Sequence, residues 1–277
     1  MNRISSVSET QDLARAVQAQ QQVCRYDCMR LELYREREQI ADRIAVARFG
    51  SALALRFEDV GYFNRVYSPD EAIYDRLSEL EEFWGGSPFG CELVGPPGED
   101  GQAGGRPIRR AGWQPATRFA WMHGDPEWLA PVPAGTFDIR APEPWQREQF
   151  LLAYLQAFEA AQHRIPAALR NMRHLFDRPE LDFLLAWIGG RPAGVGITMY
   201  AGRAALLCAG AARPEFRGRG CHTALLRARI LLARKRRCEE IYSWAVLGGR
   251  SHSNLEKAGL KTVGTTTCWR FVPESRR

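Results

Sequence analysis

Nowhere in its 277 residues does the chain run apolar for long enough to cross a bilayer. Its first ten residues, MNRISSVSET, lack the apolar core of a secretory signal. Cysteine is sparse and irregular: seven residues, at 24, 28, 91, 208, 221, 238 and 268, follow no disulfide-scaffold spacing. Cys24 and Cys28 have no second ligand pair to complete a zinc site, so packing is their expected role. His123, His163, His174 and His252 show no ligand spacing either, and no metal is expected. No glycine-rich loop ends in Lys-Ser or Lys-Thr, which excludes the P-loop. With membrane spans, disulfide frameworks and zinc modules set aside, a reducing cytoplasm is the expected compartment.

What remains is ordinary globular composition, 45% apolar and 25% charged, at a length that fits one large or two ordinary domains. The formal net charge is +6, and RARILLARKRR (227–237) concentrates it. The arginines there alternate with core-type residues and no nucleic-acid module is present. The run is expected to be a solvated helix face, with no nucleic-acid partner.

The informative stretch is PEFRGRGCHTALL (214–226). Before it, Ala204-Ala205-Leu206-Leu207-Cys208-Ala209 has the character of a buried strand, with Gly210 as a candidate bulge. After it, Ala224, Leu225, Leu226, Ala228, Ile230, Leu231 and Leu232 form the apolar face of a helix. Between them lie Arg217-Gly218-Arg219-Gly220. Glycines permit positive φ and close approach of a ligand to the backbone. The first amides of the helix and its macrodipole favour an anion, and arginine suits phosphate oxygens. Strand, glycine-arginine loop and helix together read as a phosphate cradle.

The spacing resembles motif A of the GNAT superfamily of acetyl-CoA-dependent N-acyltransferases: an Arg or Gln, two residues, a Gly, one residue, then Gly or Ala. Here Arg217, Gly218-Arg219, Gly220 and Cys221 follow the motif, and His222 stands where a small residue is usual. The element order over the last half of the chain agrees. TFDIRAPEP (136–144) is a first strand. Phe150, Leu151, Tyr154, Leu155 and Phe158 mark one face of a helix. FLLAWIGGRPAGVGITMY (183–200) is a hairpin turning at Gly189-Gly190, and EEIYSWAVL (239–247) is a strand. SHSNLEKAGLKTVGTTTCWRF (251–271) gives a last helix, its terminating Gly, and a closing strand pair.

The first half shows weaker signs of the same plan. RRAGWQPATRFAW (109–121) is laid out like EKAGLKTVGTTTCW (256–269), and SPDEAIYDRLSELEEFW (68–84) reads as a helix with Ser68 at N-cap, Pro69 at N1 and Glu71 at N3. Tyr67-Ser68-Pro69-Asp70 occupies the place of the cradle, with acid where phosphate should bind. The expected fold is therefore of the α/β (α+β) class. It comprises two tandem GNAT-like domains, each a mixed, mostly antiparallel sheet flanked by helices. A degenerate domain spans 1–125, a Pro-rich linker 126–135, and an acetyltransferase domain 136–277.

By this resemblance acetyl-CoA is the co-substrate. Its pyrophosphate is expected at Arg217, Gly218, Arg219, Gly220, Cys221, His222 and Thr223. Its pantetheine and thioester are expected at the backbone of Gly210, Ala211 and Ala212, where the superfamily's fourth and fifth strands splay. Asn254 is a further candidate for the pantetheine arm. Many relatives supply a proton to the leaving thiolate from a Tyr four residues before the Gly that ends the last helix. Counting back from Gly259, that position is Leu255. Ser251, one turn earlier on the same face, is the candidate catalytic residue, its hydroxyl expected to bond the thiol or a water beside it, and its competing role is helix N-cap. Cys221 at a helix N-terminus would be a stabilised thiolate, although phosphates crowd that position. The expected reaction is acetyl transfer to the amine of a small molecule or peptide, by a monomer or homodimer. The alternatives are a non-catalytic coenzyme A-binding module and another acyl reaction such as decarboxylation.

Overall fold

The computed structural model describes residues 2–85, 90–98, 108, 112–128, 137–160 and 165–271, with side chains omitted at 2–7, 167 and 171. The chain divides into two compact units. The first comprises 1–122, 244–252 and 262–277, and the second 123–243 and 253–261. His163 and most of the expected linker lie outside the described residues; of the linker only the 3-10 turn Pro126–Trp128 is seen.

In the first unit, helix α1 (Asn2–Glu38) buries Ala16, Ala19, Val23, Tyr26, Leu31 and Tyr34 at spacings of three to five residues, one stripe of a helix. Strands β1 (Ile44–Phe49), β2 (Ala52–Phe57) and β3 (Arg65–Tyr67) pair antiparallel in sequence order. A 3-10 segment (Glu71–Arg76) and helix α2 (Leu77–Trp84) then cross over to β4 (Cys91–Val94), which pairs parallel to β3. Strand β11 (Lys261–Phe271) lies antiparallel beside β4, in register Cys268↔Val94, and β5 (Gln114–Gly124) follows it. The 261–271 segment is one long strand, not the strand pair expected from sequence. Leu77, Leu80 and Trp84 of α2 pack on Ala54, Val66, Leu93 and Trp269.

The cap at this crossover also differs from expectation. Asp70, not Ser68, accepts the Ala72 amide, at 3.0 Å. Ser68 is buried and turns its hydroxyl onto the Asp70 carbonyl, at 2.7 Å. The helix start is thus closed by the chain's own carboxylate.

The second unit carries four antiparallel strands and one parallel strand. Strands β6 (Asp138–Arg140), β7 (Leu181–Ile188), β8 (Arg191–Ala201) and β9 (Ala204–Ala212) are antiparallel neighbours. Helix α5 (Cys221–Lys235) crosses over to β10 (Glu240–Val246), parallel to β9. Helices α3 (Arg147–Ala157) and α4 (Ile165–Arg173) separate β6 from β7. Phe150, Leu151 and Leu155 of α3 are buried as the periodicity predicts, but Phe158 lies past the helix end and is 48% exposed. Phe216, Cys221, Ala224 and Leu225 close a core with Phe137, Leu184, Ala193 and Ala212. Helix α6 (Arg250–Lys257) begins in the first unit and ends in the second.

Candidate functional site

The site is built where β9 turns into α5. Parallel pairing with β10 covers Glu240↔Ala204, Ile241↔Ala205 and Tyr242↔Leu206, and β9 continues beyond it from Leu207 to Ala212. On the other edge the β8–β9 register slips by one between Ile197↔Ala209 and Met199↔Leu206. The extra residue of this bulge lies on β9, within Leu207-Cys208, not at Gly210 as expected; Gly210 sits in register opposite Gly196.

Gly196 and Gly210 are there for a reason the sequence did not disclose. A Cβ on Gly210 would collide with the guanidinium of Arg229, and one on Gly196 would lie 3.1 Å from its Cδ. Arg229 reaches back from the middle of α5 across both glycines and is only 2% exposed. Its Nη1 donates to the Ala209 carbonyl at 2.8 Å, and its Nε to the Leu225 carbonyl at 3.3 Å. Burial lowers its pKa to about 10. The basic run 227–237 is therefore not simply a solvated face: Arg229 is interior, Arg234 bonds the Pro126 carbonyl, and Arg236 pairs with Asp182 at 2.6 Å.

The loop itself starts with the 3-10 turn Pro214–Phe216, anchored by buried Phe216. Arg217 is fully engaged with the protein: Nη2 donates to the Ala157 carbonyl at 3.0 Å, Nε to the Ala212 carbonyl at 3.4 Å, and Nη1 pairs with Glu159. Its guanidinium ties the loop to the end of α3. Gly218 and Gly220 have φ of +77° and +84°, and the space where each Cβ would stand is empty within 4 Å. Backbone conformation, not crowding, requires glycine at both. Gly220 caps α5, and the first bond of that helix runs from the Ala224 amide to the Gly220 carbonyl at 2.9 Å. The amides of Cys221, His222 and Thr223 precede the first helical donor and belong to the positive end of the dipole. Arg219 is exposed beside them. This open backbone, with two left-handed glycines and an exposed arginine, fits the pyrophosphate of acetyl-CoA.

Two side chains at the helix start behave differently from expectation. Cys221 turns inward, its sulfur 2.7 Å from where a Gly194 Cβ would be, and burial pushes its pKa up to about 12. Burial overrides the dipole, so Cys221 is a packed thiol and not a thiolate. His222 lies at 3.2 Å, Nδ1 to Asn254 Nδ2, and its ring also bonds the Gly210 backbone. An amide NH2 only donates, so Nδ1 accepts and the ring proton sits on Nε2. Burial, and then the charge of Arg229, lowers the His222 pKa to about 4. The structure thus joins Gly210, His222, Asn254 and Arg229 into one polar cluster.

Helix α6 ends in a Schellman motif: Gly259 donates to the Glu256 carbonyl at 2.8 Å and Leu260 to the Leu255 carbonyl at 3.1 Å. Leu255 and Leu260 are both buried, so the position of the superfamily's usual acid is a packing position here. Ser251 is exposed inside the first turn of α6 and is not its cap. His252, in the same turn, accepts from the Gly248 amide at 3.3 Å and bonds Thr262 at 2.9 Å. A cavity of about 580 Å³ lies elsewhere, lined by Phe183, Leu184, Leu231, Leu232, Arg147 and Lys235.

Residues 141–256 match the acetyltransferase (GNAT) family. The fold is that of the GNAT acyltransferases. A conserved protein of unknown function from Staphylococcus epidermidis superposes with a TM-score of 0.66 at 11% identity, covering 84% of this chain and 96% of that one. A GCN5-related N-acetyltransferase from Sphaerobacter thermophilus gives 0.62 at 14% identity, covering 84% of each chain. A tandem GNAT protein from the clavulanic acid biosynthesis pathway gives 0.57 at 12%, covering 84% and 85%. At these identities the likeness is one of fold. No protein of curated function matches the sequence. Among the described residues no group of three or more His, Cys, Asp or Glu could hold a metal, and no helix is long and apolar enough to cross a membrane.

Proposed function

We propose that the chain is an acetyl-CoA-dependent N-acetyltransferase acting on an amine of a small molecule or peptide. One observation carries the reading: β9 parts from its parallel partner after Leu206 and delivers the chain into a loop with two left-handed glycines and an open helix N-terminus. The amides of 218–223 and Arg219 would hold the pyrophosphate, while Arg217 fixes the loop from behind. The backbone of Gly210, Ala211 and Ala212 would bond the pantetheine and thioester, with Asn254 holding His222 beside it. The thioester supplies an activated acetyl group; the protein's part is to orient it and to shield it from water.

The sequence halves 1–125 and 136–277, joined by 126–135, read as a duplication. Each gives three antiparallel strands, a helix, and a strand parallel to the third. In the first half Asp70 fills the anion position, which leaves one coenzyme site per chain. Seven free cysteines fit a cytoplasmic protein. Leu255 favours one second reading, a coenzyme A-binding module that does not turn over, because no hydroxyl stands at the usual acid position. Calorimetry with acetyl-CoA, followed by thiol release over a panel of amines, tests both readings. Binding with transfer supports the enzyme, binding without transfer supports the module, and no binding removes both.

A further inference from the structure

Arg229 is a buried cation. Among the described residues no carboxylate pairs with it, and it donates to the Ala209 and Leu225 carbonyls. Taking a guanidinium out of water is costly unless something compensates. The chain goes further and keeps glycine at two register partners, 196 and 210, to admit it. The charge is placed beside Gly210, on the part of β9 that has left its ladder with β10.

Among the described residues the groups facing this charge include no carboxylate. They are Tyr200 from β8, Cys208 from β9, and His222 from its own helix. Burial, with Asp182 nearby, raises the Tyr200 pKa, so the phenol stays protonated. His222 is held neutral, first by burial and then by Arg229, and so adds no charge of its own. Leu255 offers no proton.

We propose that Arg229 is the countercharge for the coenzyme sulfur, so that acyl transfer here releases a thiolate without a side-chain acid. The inference rests on the coenzyme A reading above. The amine lone pair forms the C–N bond at the thioester carbon, and the carbonyl π pair moves onto oxygen. Collapse restores the carbonyl and breaks the C–S bond, with its electron pair leaving on sulfur. The ammonium proton passes to water. Arg229 need not touch the sulfur; it acts through a water-poor interior where charges are weakly screened.

The test titrates the thiol of bound coenzyme A by its ultraviolet thiolate absorbance, using the full chain, with desulfo-coenzyme A as blank. The wild-type protein is expected to lower the thiol pKa by about one to two units relative to free coenzyme A. Arg229→Lys, which keeps the charge, should retain most of the shift, and Arg229→Met should abolish it. A wild-type thiol that titrates as in solution overturns the inference while leaving coenzyme binding intact. Equal shifts in the Lys and Met variants overturn it too, since a packing role would treat them alike. If Arg229→Met does not fold, the wild-type titration still decides. Failure of coenzyme A to bind the wild-type chain overturns the functional reading, and this inference with it.

Discussion

Gly196 and Gly210 face one another across β8 and β9, and the slot they leave is filled by the Arg229 side chain. Gly210→Ala should therefore force the guanidinium out of its bonds, while Gly196→Ala meets the aliphatic stem at a distance that a small shift can relieve. Overpacking of this kind costs about 1–3 kcal/mol, with Gly210→Ala the larger. Combining Gly210→Ala with Arg229→Met should recover part of the loss, measured by chemical denaturation as a double-mutant cycle. Additive losses would show that the glycines serve something other than the arginine.

At Gly220 the constraint is conformational. Gly220→Val should weaken acetyl-CoA binding and cost roughly 1–2 kcal/mol of stability, because a β-branched residue is strained at positive φ. Gly220→Asn, which tolerates that region better, should cost less on both counts. Calorimetry and thermal melts on the two variants check the ordering.

The two loop arginines should separate cleanly. Arg219 is exposed and free to face a phosphate, so Arg219→Ala should lower acetyl-CoA affinity tenfold or more, as a charge-assisted bond contributes about 1.5–3 kcal/mol. Its melting temperature should hardly move. Arg217→Ala loses bonds to Ala157 and Ala212 and the pair with Glu159, so it should lower the melting temperature as well as the affinity.

His222 makes stability depend on pH. Its ordinary pKa of 6.5 falls to about 4 on folding, chiefly by burial and secondly through Arg229. Between those values the unfolded chain takes up a proton that the folded chain refuses. The contribution is complete above about pH 6.5 and is lost as pH falls towards 4, by up to about 3 kcal/mol. Urea titrations across this window should show the decline in wild type and a shallower one in His222→Gln. Parallel curves would place the ring outside the polar cluster.

Titration of the full chain with coenzyme A should end at one equivalent. Asp70 supplies the first crossover with its own carboxylate, bonded to the Ala72 amide and to Ser51 at 2.6 Å. Two equivalent sites would contradict that reading of the first half.

Residues 204–235 were legible because every local signal agreed: an apolar strand, glycines at the turn, and an amphipathic helix. The positive φ of Gly218 and Gly220 followed from residue type alone. Arg217 misled, since its residue type suits phosphate whereas its partners are backbone carbonyls 60 and five residues away in sequence. Arg229 was unreadable for a similar reason: the run 227–237 was expected to be a solvated face, and nothing in it shows that two strands have been cut back to receive a charge. Cys221 was assigned from its helix terminus, but depth in the core decided its chemistry. Ser68 lost the cap to Asp70 by two positions, which is the scale on which helix starts are routinely misplaced.

The pairing of β11 with β4 joins segments made far apart in time: Arg270 and Glu92, bonded at 2.7 Å, are 178 residues apart in the chain. During translation, at about 5–20 residues per second, β4 leaves the ribosome well before its neighbour exists. For those seconds its outer row of amides and carbonyls is an open template for any passing strand. That exposure ends only when residues 261–271 arrive to pair with it.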